Sequence, residues 1–565
     1  MSVQDADGGQ VTDNRPAPTV GGGPPPGPVP PSPSGQAAQS PSGQAAQTPS
    51  GQPTPAASRH AGAVVGAGAV TVGGAALVLY AADQRATRGT ALGPERSTLL
   101  DPDPDLHLIR RASFGLSTAL VAEVAGMGVG RWLDEQLHPD RIEDPQAEAI
   151  LAAYPALAAS AAQLRDEYAS SRRVPGEELA AATIGRQIWS RRQLLEVMTD
   201  FWSNHFSVTA PGGPAYATKP VEDATVIRRH ALDTFENLLL ADATSPAMLL
   251  HLDNATSRGD DPNENYGREL LELHTVGIEA GYTEAHVRDS AYALTGWGVG
   301  PDQTFLFTPE AHYTGQLQIL SWSAANADPA GGFKVGVDYL RYLAHHPATA
   351  RHLSVKLARR FVADEPSVDL VEALAESYLD ADTAIDPWLR TLFGSREFTA
   401  SVGQKVRRPL EDLVASVRAL GIAAPVTDPR APLTDLVRRA RGLGQAPLGA
   451  AAPTGYVDVA APWLSSSVTL GRWNEHRALS AERVPGLDFP DVSTLTDGSE
   501  PRTIGEFIDA LTTRLTGQRF RDDHRQALVE FLGSAESSPY VVGQTAAAVP
   551  DLIALILDSP YHLLR

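Results

Sequence analysis

From about residue 103 onward, glycine and proline divide the chain into segments of helix length, and alternating apolar–polar runs are scarce. Apolar residues recur at three- and four-residue spacing, as in Asp105-Leu-His-Leu-Ile-Arg-Arg-Ala-Ser-Phe-Gly115 and Trp132-Leu-Asp-Glu-Gln-Leu-His-Pro139. Side chains with that period meet on one face of a helix and on no face of a strand. The expected fold class is therefore mainly α: one large helical domain over 103–565 with at most a small β-hairpin. Segments 303–307 and 316–322 are the exceptions and are expected to form that hairpin, while 427–432 and 488–501 are expected to be loops, the second flap-like.

Upstream the texture changes. Residues 1–58 repeat Pro-Ser-Gly-Gln-Ala-Ala-Gln from Pro33 and Pro41, partly again from Pro49, and carry almost no large apolar side chain. Nothing there offsets the entropy of ordering, so a disordered, partly polyproline tail is expected. Residues 61–82 carry no charge and end in Leu77-Val-Leu-Tyr80. A span of about 20 such residues can cross a bilayer as one hydrophobic helix. Three readings stand open: a signal-anchor, an export signal cleaved near Tyr80-Ala-Ala82, or a buried or surface helix.

Composition excludes several functions. Asp+Glu 67 against Lys+Arg 46 gives a net charge of −21, so nucleic acid is not an expected partner. The absence of cysteine rules out disulfides, thiolate catalysis and Cys-ligated zinc or iron–sulfur centres. No Gly-x-Ser-x-Gly, Walker, dinucleotide-binding or His-Glu-x-x-His pattern occurs, so standard hydrolase and nucleotide readings lack support.

The run 261–277, Asp-Pro-Asn-Glu-Asn-Tyr-Gly-Arg-Glu-Leu-Leu-Glu-Leu-His-Thr-Val-Gly, reads as one helix. Asp261 is the expected N-cap, Pro262 the first position, Glu264 the capping-box acid and Gly277 the C-cap. At about 100° per residue, Glu269 and Glu272 fall on one face with Asn265 and Val276, flanked by Arg268. Tyr266, Leu270, Leu273 and His274 fall opposite. Like charges three apart repel, so a cation from elsewhere is expected. Glu272 and His274 diverge by about 160° and cannot share an ion; His274 is expected to point away as a core residue.

Segment 186–206 also reads as one helix, with Leu194, Leu195, Met198, Phe201 and Trp202 as its stripe. His205 and Arg191 fall in that stripe, and Asn204 faces away. A buried arginine needs a carboxylate, so Arg191 and His205 are expected to meet Glu269 and Glu272 in a polar cluster. In His345-His346-Pro347, Pro347 suits the first helical position and His346 the N-cap, with metal ligation by the pair as the alternative. Thr283 is the expected N-cap of the helix holding His286 and Asp289.

Phe-Trp-Ser-Asn-His-Phe (201–206), Tyr-Thr-Glu-Ala-His-Val (282–287) before Leu-Thr-Gly-Trp (294–297), and His-His-Pro-Ala-Thr-Ala (345–350) resemble the bacterial family of domain of unknown function 1800. The resemblance spans roughly 104 to 565 and includes Lys405-Val-Arg-Arg-Pro-Leu-Glu-Asp412 and Pro560-Tyr-His-Leu-Leu. It implies export, and a partner similar to exported phosphatase-like proteins of domain of unknown function 1501. The chain departs from the family pattern at His312-Tyr313 and Leu317, where relatives carry His-Asp and a lysine, and at Pro453-Thr-Gly-Tyr-Val-Asp458, which lacks a tryptophan.

Two functions from different classes follow. One is a non-catalytic, exported or membrane-anchored envelope protein that acts with a partner, its polar cluster specifying packing. The other is an exported enzyme with a divalent metal held by Glu269, Glu272, His205 and one of His345 or His346. Binding of a polysaccharide or small ligand is a third, which would need exposed Trp and Tyr.

Overall fold

Asp103 starts the first helix: its carboxylate accepts from the N–H groups of Asp105 and Leu106, and Pro104 occupies the first position, where a missing N–H costs nothing. The computed structural model describes residues 99–565 apart from 426 and 497. The expected tail (1–58) and hydrophobic segment (61–82) lie outside the described residues. Among the described residues, no helix is long and apolar enough to cross a membrane.

The helices that position the sites are α1 (Pro104–Ala112), α2 (Val174–Trp189), α3 (Gln193–His205), α4 (Phe235–Ala243), α5 (Glu264–Glu269), α6 (Glu284–Ala293) and α7 (Gly332–Ala344). They are followed by α8 (Pro347–Phe361), α9 (Val368–Asp380), α10 (Pro409–Leu420), α11 (Ser466–Ser480), α12 (Val549–Leu557) and α13 (Pro560–Leu563). α5 packs on α6, α4 on α7, α8 on α9 and α11 on α12, while α10 touches both α2 and α11. One apolar cluster takes residues from every one of these helices, from Leu108 in α1 to Tyr561 in α13. The fold is mainly α, as the periodicity predicts.

The strands depart from expectation. β1 (Trp297–Val299) pairs antiparallel with β2 (Phe305–Phe307), and β3 (Leu317–Ile319) with β4 (Trp322–Ala324). The two strand-like segments thus belong to separate hairpins. Each finds a partner only a few residues away, which closes the smaller loop at lower entropic cost. The 427–432 loop is also shorter than expected: Asp428 accepts from the Arg430 N–H, and a helix begins at Arg430. Within 488–501, Val492–Thr496 forms a 3-10 turn.

Segment 186–206 is two helices, not one. Ser190 is extended (φ −60°, ψ 139°), and side chains from elsewhere take over the freed backbone groups. Asp144 accepts from Arg191 N, and Gln136 Oε1 accepts from Leu194 N. Arg191 lies in this break and not in the core stripe.

The acidic run also starts and ends differently. Asn263, not Asp261, is the N-cap, accepting from Asn265 N. Glu264 is therefore the first helical residue and pairs with Arg268 at 3.6 Å. After Glu269 the helix widens into a π turn, Leu270–His274, whose extra residue per turn rotates everything beyond it off the regular wheel. Gly267 lets α6 approach closely, since a Cβ there would stand 2.7 Å from Ala291 N.

Candidate functional site

His205 ends α3 inside an aromatic shell, its ring centroid 5.6 Å from Trp202, 4.5 Å from Phe206 and 6.2 Å from Phe235. Its Nε2–H donates to the His274 carbonyl at 3.1 Å, and its Nδ1 accepts from Lys356 Nζ at 2.9 Å. Lys356 also donates to the Leu273 carbonyl at 3.1 Å, and His352 Nε2 donates to the same oxygen at 3.2 Å. The carbonyls left open where the π turn ends are thus met by donors from α3 and α8. Burial, reinforced by the Lys356 charge, pushes His205 well below the ordinary imidazole range, His274 to about 3 and His352 to about 4. Burial and Arg359 bring Lys356 down to about 8. The imidazoles are neutral donors and acceptors here.

The expected partnership of His205 and Arg191 with Glu269 and Glu272 does not form. Arg191 pairs instead with Glu123 at 2.6 Å, its side chain half-exposed. Neither glutamate side chain makes an ion pair or hydrogen bond among the described residues, and both residues are only partly buried. Burial and the Glu272 charge raise the Glu269 pKa. Arg268 forms a fork onto Glu284 at 2.9 and 2.7 Å and is not within ion-pair distance of Glu272 among the described residues. His274 is the buried core residue that was expected, beside Tyr266, but its ring also lies 5.9 Å from that of His205, which was expected to meet the glutamates instead.

His345 and His346 separate. His345 Nε2 donates to Glu236 at 2.8 Å. His346 caps α8, its Nδ1 accepting from Ala348 N at 3.1 Å; burial lowers its pKa, consistent with a neutral acceptor. Thr283 caps α6 as expected, in a capping box with His286. Asn204, expected to face away from the core, clasps another segment, donating to Tyr456 O at 2.8 Å and accepting from Tyr456 N at 2.6 Å.

A second cluster joins residues that no spacing connects. On α10, Glu411 turns toward Arg360 and Arg408, while Asp412 turns the other way to His476 on α11 and His562 on α13. Asp412 Oδ2 lies 3.0 Å from His476 Nε2, and Asp412 Oδ1 lies 3.7 Å from His562 Nε2. One ligand atom from each of the three residues lies within 4.8 Å of the other two. Asp558 holds the far side of His476, accepting from Nδ1 at 2.7 Å. Asp412 Oδ1 is buried with no hydrogen-bond partner among the described residues. Arg472 Nε stands 3.9 Å from Asp412 Oδ2.

The electrostatics of this group are those of a desolvated charge cluster. Burial opposes charge on every member. The carboxylates of Asp412 and Asp558 outweigh it at His476 and raise its pKa to about 9. His476 and Arg472 hold Asp412 below the usual carboxylate range, whereas burial dominates at Asp558, which is raised, and at His562, which falls to about 3. Two imidazoles and a carboxylate are a donor set that suits zinc, manganese or iron. The buried Asp/His/His group could hold a metal. Two of its residues sit in family-like segments of the sequence, 405–412 and 560–564, but their spacing gives no ligand pattern.

A family model described as a protein of unknown function (DUF1800) matches residues 107–564, a span that contains both clusters. No curated protein and no solved structure matches the chain.

Proposed function

The chain belongs to the DUF1800 family of proteins of unknown function, and from that premise we propose that it is a helical protein tied together by a buried divalent metal at Asp412, His476 and His562. The observation that carries this reading is the convergence of three ligand atoms within 4.8 Å from three separate helices. Two details support it. The unpartnered Asp412 Oδ1 is a free ligand atom in a buried place. Asp558 on His476 Nδ1 is the outer carboxylate that fixes the tautomer of a metal-ligating histidine. The ligand side chains are at most 3% exposed. A catalytic ion keeps a position open to substrate, so burial favours an ion that joins α10, α11 and α13 over one that runs a reaction.

Elemental analysis of the purified chain tests this. The expected result is close to one transition-metal ion per chain, lost in His562→Ala. A metal-free protein whose unfolding midpoint is unmoved by excess zinc, manganese or iron would overturn it, because an ion at about 100 times its Kd stabilises by about 2.7 kcal/mol. The cluster would then be a closed ion network around a protonated His476.

The same protein is proposed to work outside the cytoplasm with a protein partner. The uncharged segment 61–82 supports anchoring or export, and the acidic composition suits a soluble extracytoplasmic domain. An exported phosphatase-like protein is the partner that the family resemblance favours. A reporter fused after Asp103 should be active only outside the cytoplasm; activity confined to the cytosol refutes this placement.

A further inference from the structure

The break between α2 and α3 opens a cleft of about 460 Å³, within the size range of small-ligand sites. Its lining includes Leu120, Ile188, Trp189 and Ile422 as apolar surface, and Arg418 near the end of α10. Arg418 is 7% exposed. Its Nε donates to Gly115 O at 2.8 Å and its Nη1 to Ile188 O. Nη2 makes no hydrogen bond, and no carboxylate lies within ion-pair distance of the guanidinium, among the described residues. Two carbonyls disperse the charge without neutralising it, and a buried charge without a counter-charge is costly.

The two acids in the same cleft do not supply that counter-charge. Glu123 is engaged by Arg191 at 2.6 Å. Asp144 accepts from Ser190 Oγ, from Arg191 N and from Ala147 N, the last as a helix cap. Burial, with Arg407 adding like charge, pushes Arg418 down to about 9, so it remains a cation at neutral pH. Arg110 and Arg407 are also buried without an acid in ion-pair distance, but they border a cavity of only about 10 Å³, room for a water at most. Arg418 differs in having space beside it for a ligand.

We propose that this cleft binds a small organic monocarboxylate, its carboxylate on Arg418 and its aryl or short alkyl body against Ile188, Trp189 and Leu120. The guanidinium's planar fork suits a carboxylate. The apolar walls select a ligand with an apolar body over inorganic anions. The site shares no residue with the proposed metal centre and stands or falls independently of it.

Isothermal titration calorimetry on the full chain tests this, with 4-phenylbutyrate and octanoate as probes and their amides and inorganic phosphate as controls. Saturable binding of a carboxylate is expected, with the amide about tenfold weaker or worse, since a charge-assisted hydrogen bond is lost. Ala119→Trp, at an exposed helix position lining the cleft, should abolish binding while leaving the urea midpoint unchanged. Arg418→Gln should do the same if it folds, and Ala119→Trp decides the matter if it does not. No heat from either carboxylate up to about 1 mM, equal binding of the amides, or undiminished binding by Ala119→Trp would each overturn the proposal.

Discussion

Lys356 donates from Nζ to Nδ1 of His205 across 2.9 Å, and this one contact sets the tautomer of a histidine buried among aromatic rings. With Nδ1 accepting, the ring proton must sit on Nε2, where it meets the His274 carbonyl. A lysine on α8 and a histidine on α3 are thereby locked to the end of the π turn. Burial makes this costly for the lysine, which is held at about 8.

That depression gives stability a definite pH dependence. The folded state releases the Lys356 proton near 8, while the unfolded chain holds it to about 10.4, so the unfolded state binds more protons in between. Stability contributed by this group rises as pH increases through that window, by up to about 3 kcal/mol. Urea unfolding at about pH 7 and about pH 10 should show the gain in the native chain and its loss in Lys356→Met. An equal pH response in both proteins would mean that Lys356 is solvated.

Glu269 and Glu272 should behave as a repelling surface pair. Glu269 is raised by burial and by its neighbour's charge, and neither acid has an ionic partner. Glu272→Gln is therefore expected to leave stability unchanged or raise it, within about 0.5 kcal/mol. A loss of about 2 kcal/mol or more in chemical denaturation would reveal a buried cation paired with Glu272.

Asp558 makes no hydrogen bond to Asp412 or His562 among the described residues, yet it orients His476 through a 2.7 Å hydrogen bond. Asp558→Asn should weaken metal affinity by about 10- to 100-fold while Asp412, His476 and His562 remain in place. Competition with a chromogenic chelator reads this directly. Unchanged affinity would place the ion elsewhere.

Gly455 should not tolerate a side chain. Its φ is +69° and a Cβ would stand 2.3 Å from the Asn204 carbonyl oxygen, beside the paired hydrogen bonds between Asn204 and Tyr456. Gly455→Ala is expected to cost about 2 kcal/mol or more, seen as a lower denaturation midpoint. A neutral effect would show that the 453–458 segment is not clasped to α3.

What was legible before the fold was known is local. The helical class and the caps at His346 and Thr283 rest on interactions within four residues, and those the spacing reports. The helix wheel failed where the helix stopped being regular. The break at Ser190 took Arg191 out of the core stripe, and the π turn at Leu270–His274 ended the acidic helix before the expected cap at Gly277. Both irregularities are held by side chains from other parts of the chain, so the local sequence does not display them.

The sequence by itself determined the mainly helical class, the caps at His346 and Thr283, the absence of thiol chemistry, and the family-like segments, because each depends on residue type or on neighbours along the chain. The tertiary structure alone decided which polar residues meet. Lys356 reaches His205 over a separation of 151 residues, and His476 reaches Asp412 over 64 and Asp558 over 82. Contacts at such separations follow from how helices pack to bury their apolar faces. The period that marks a buried face does not say which other face will cover it.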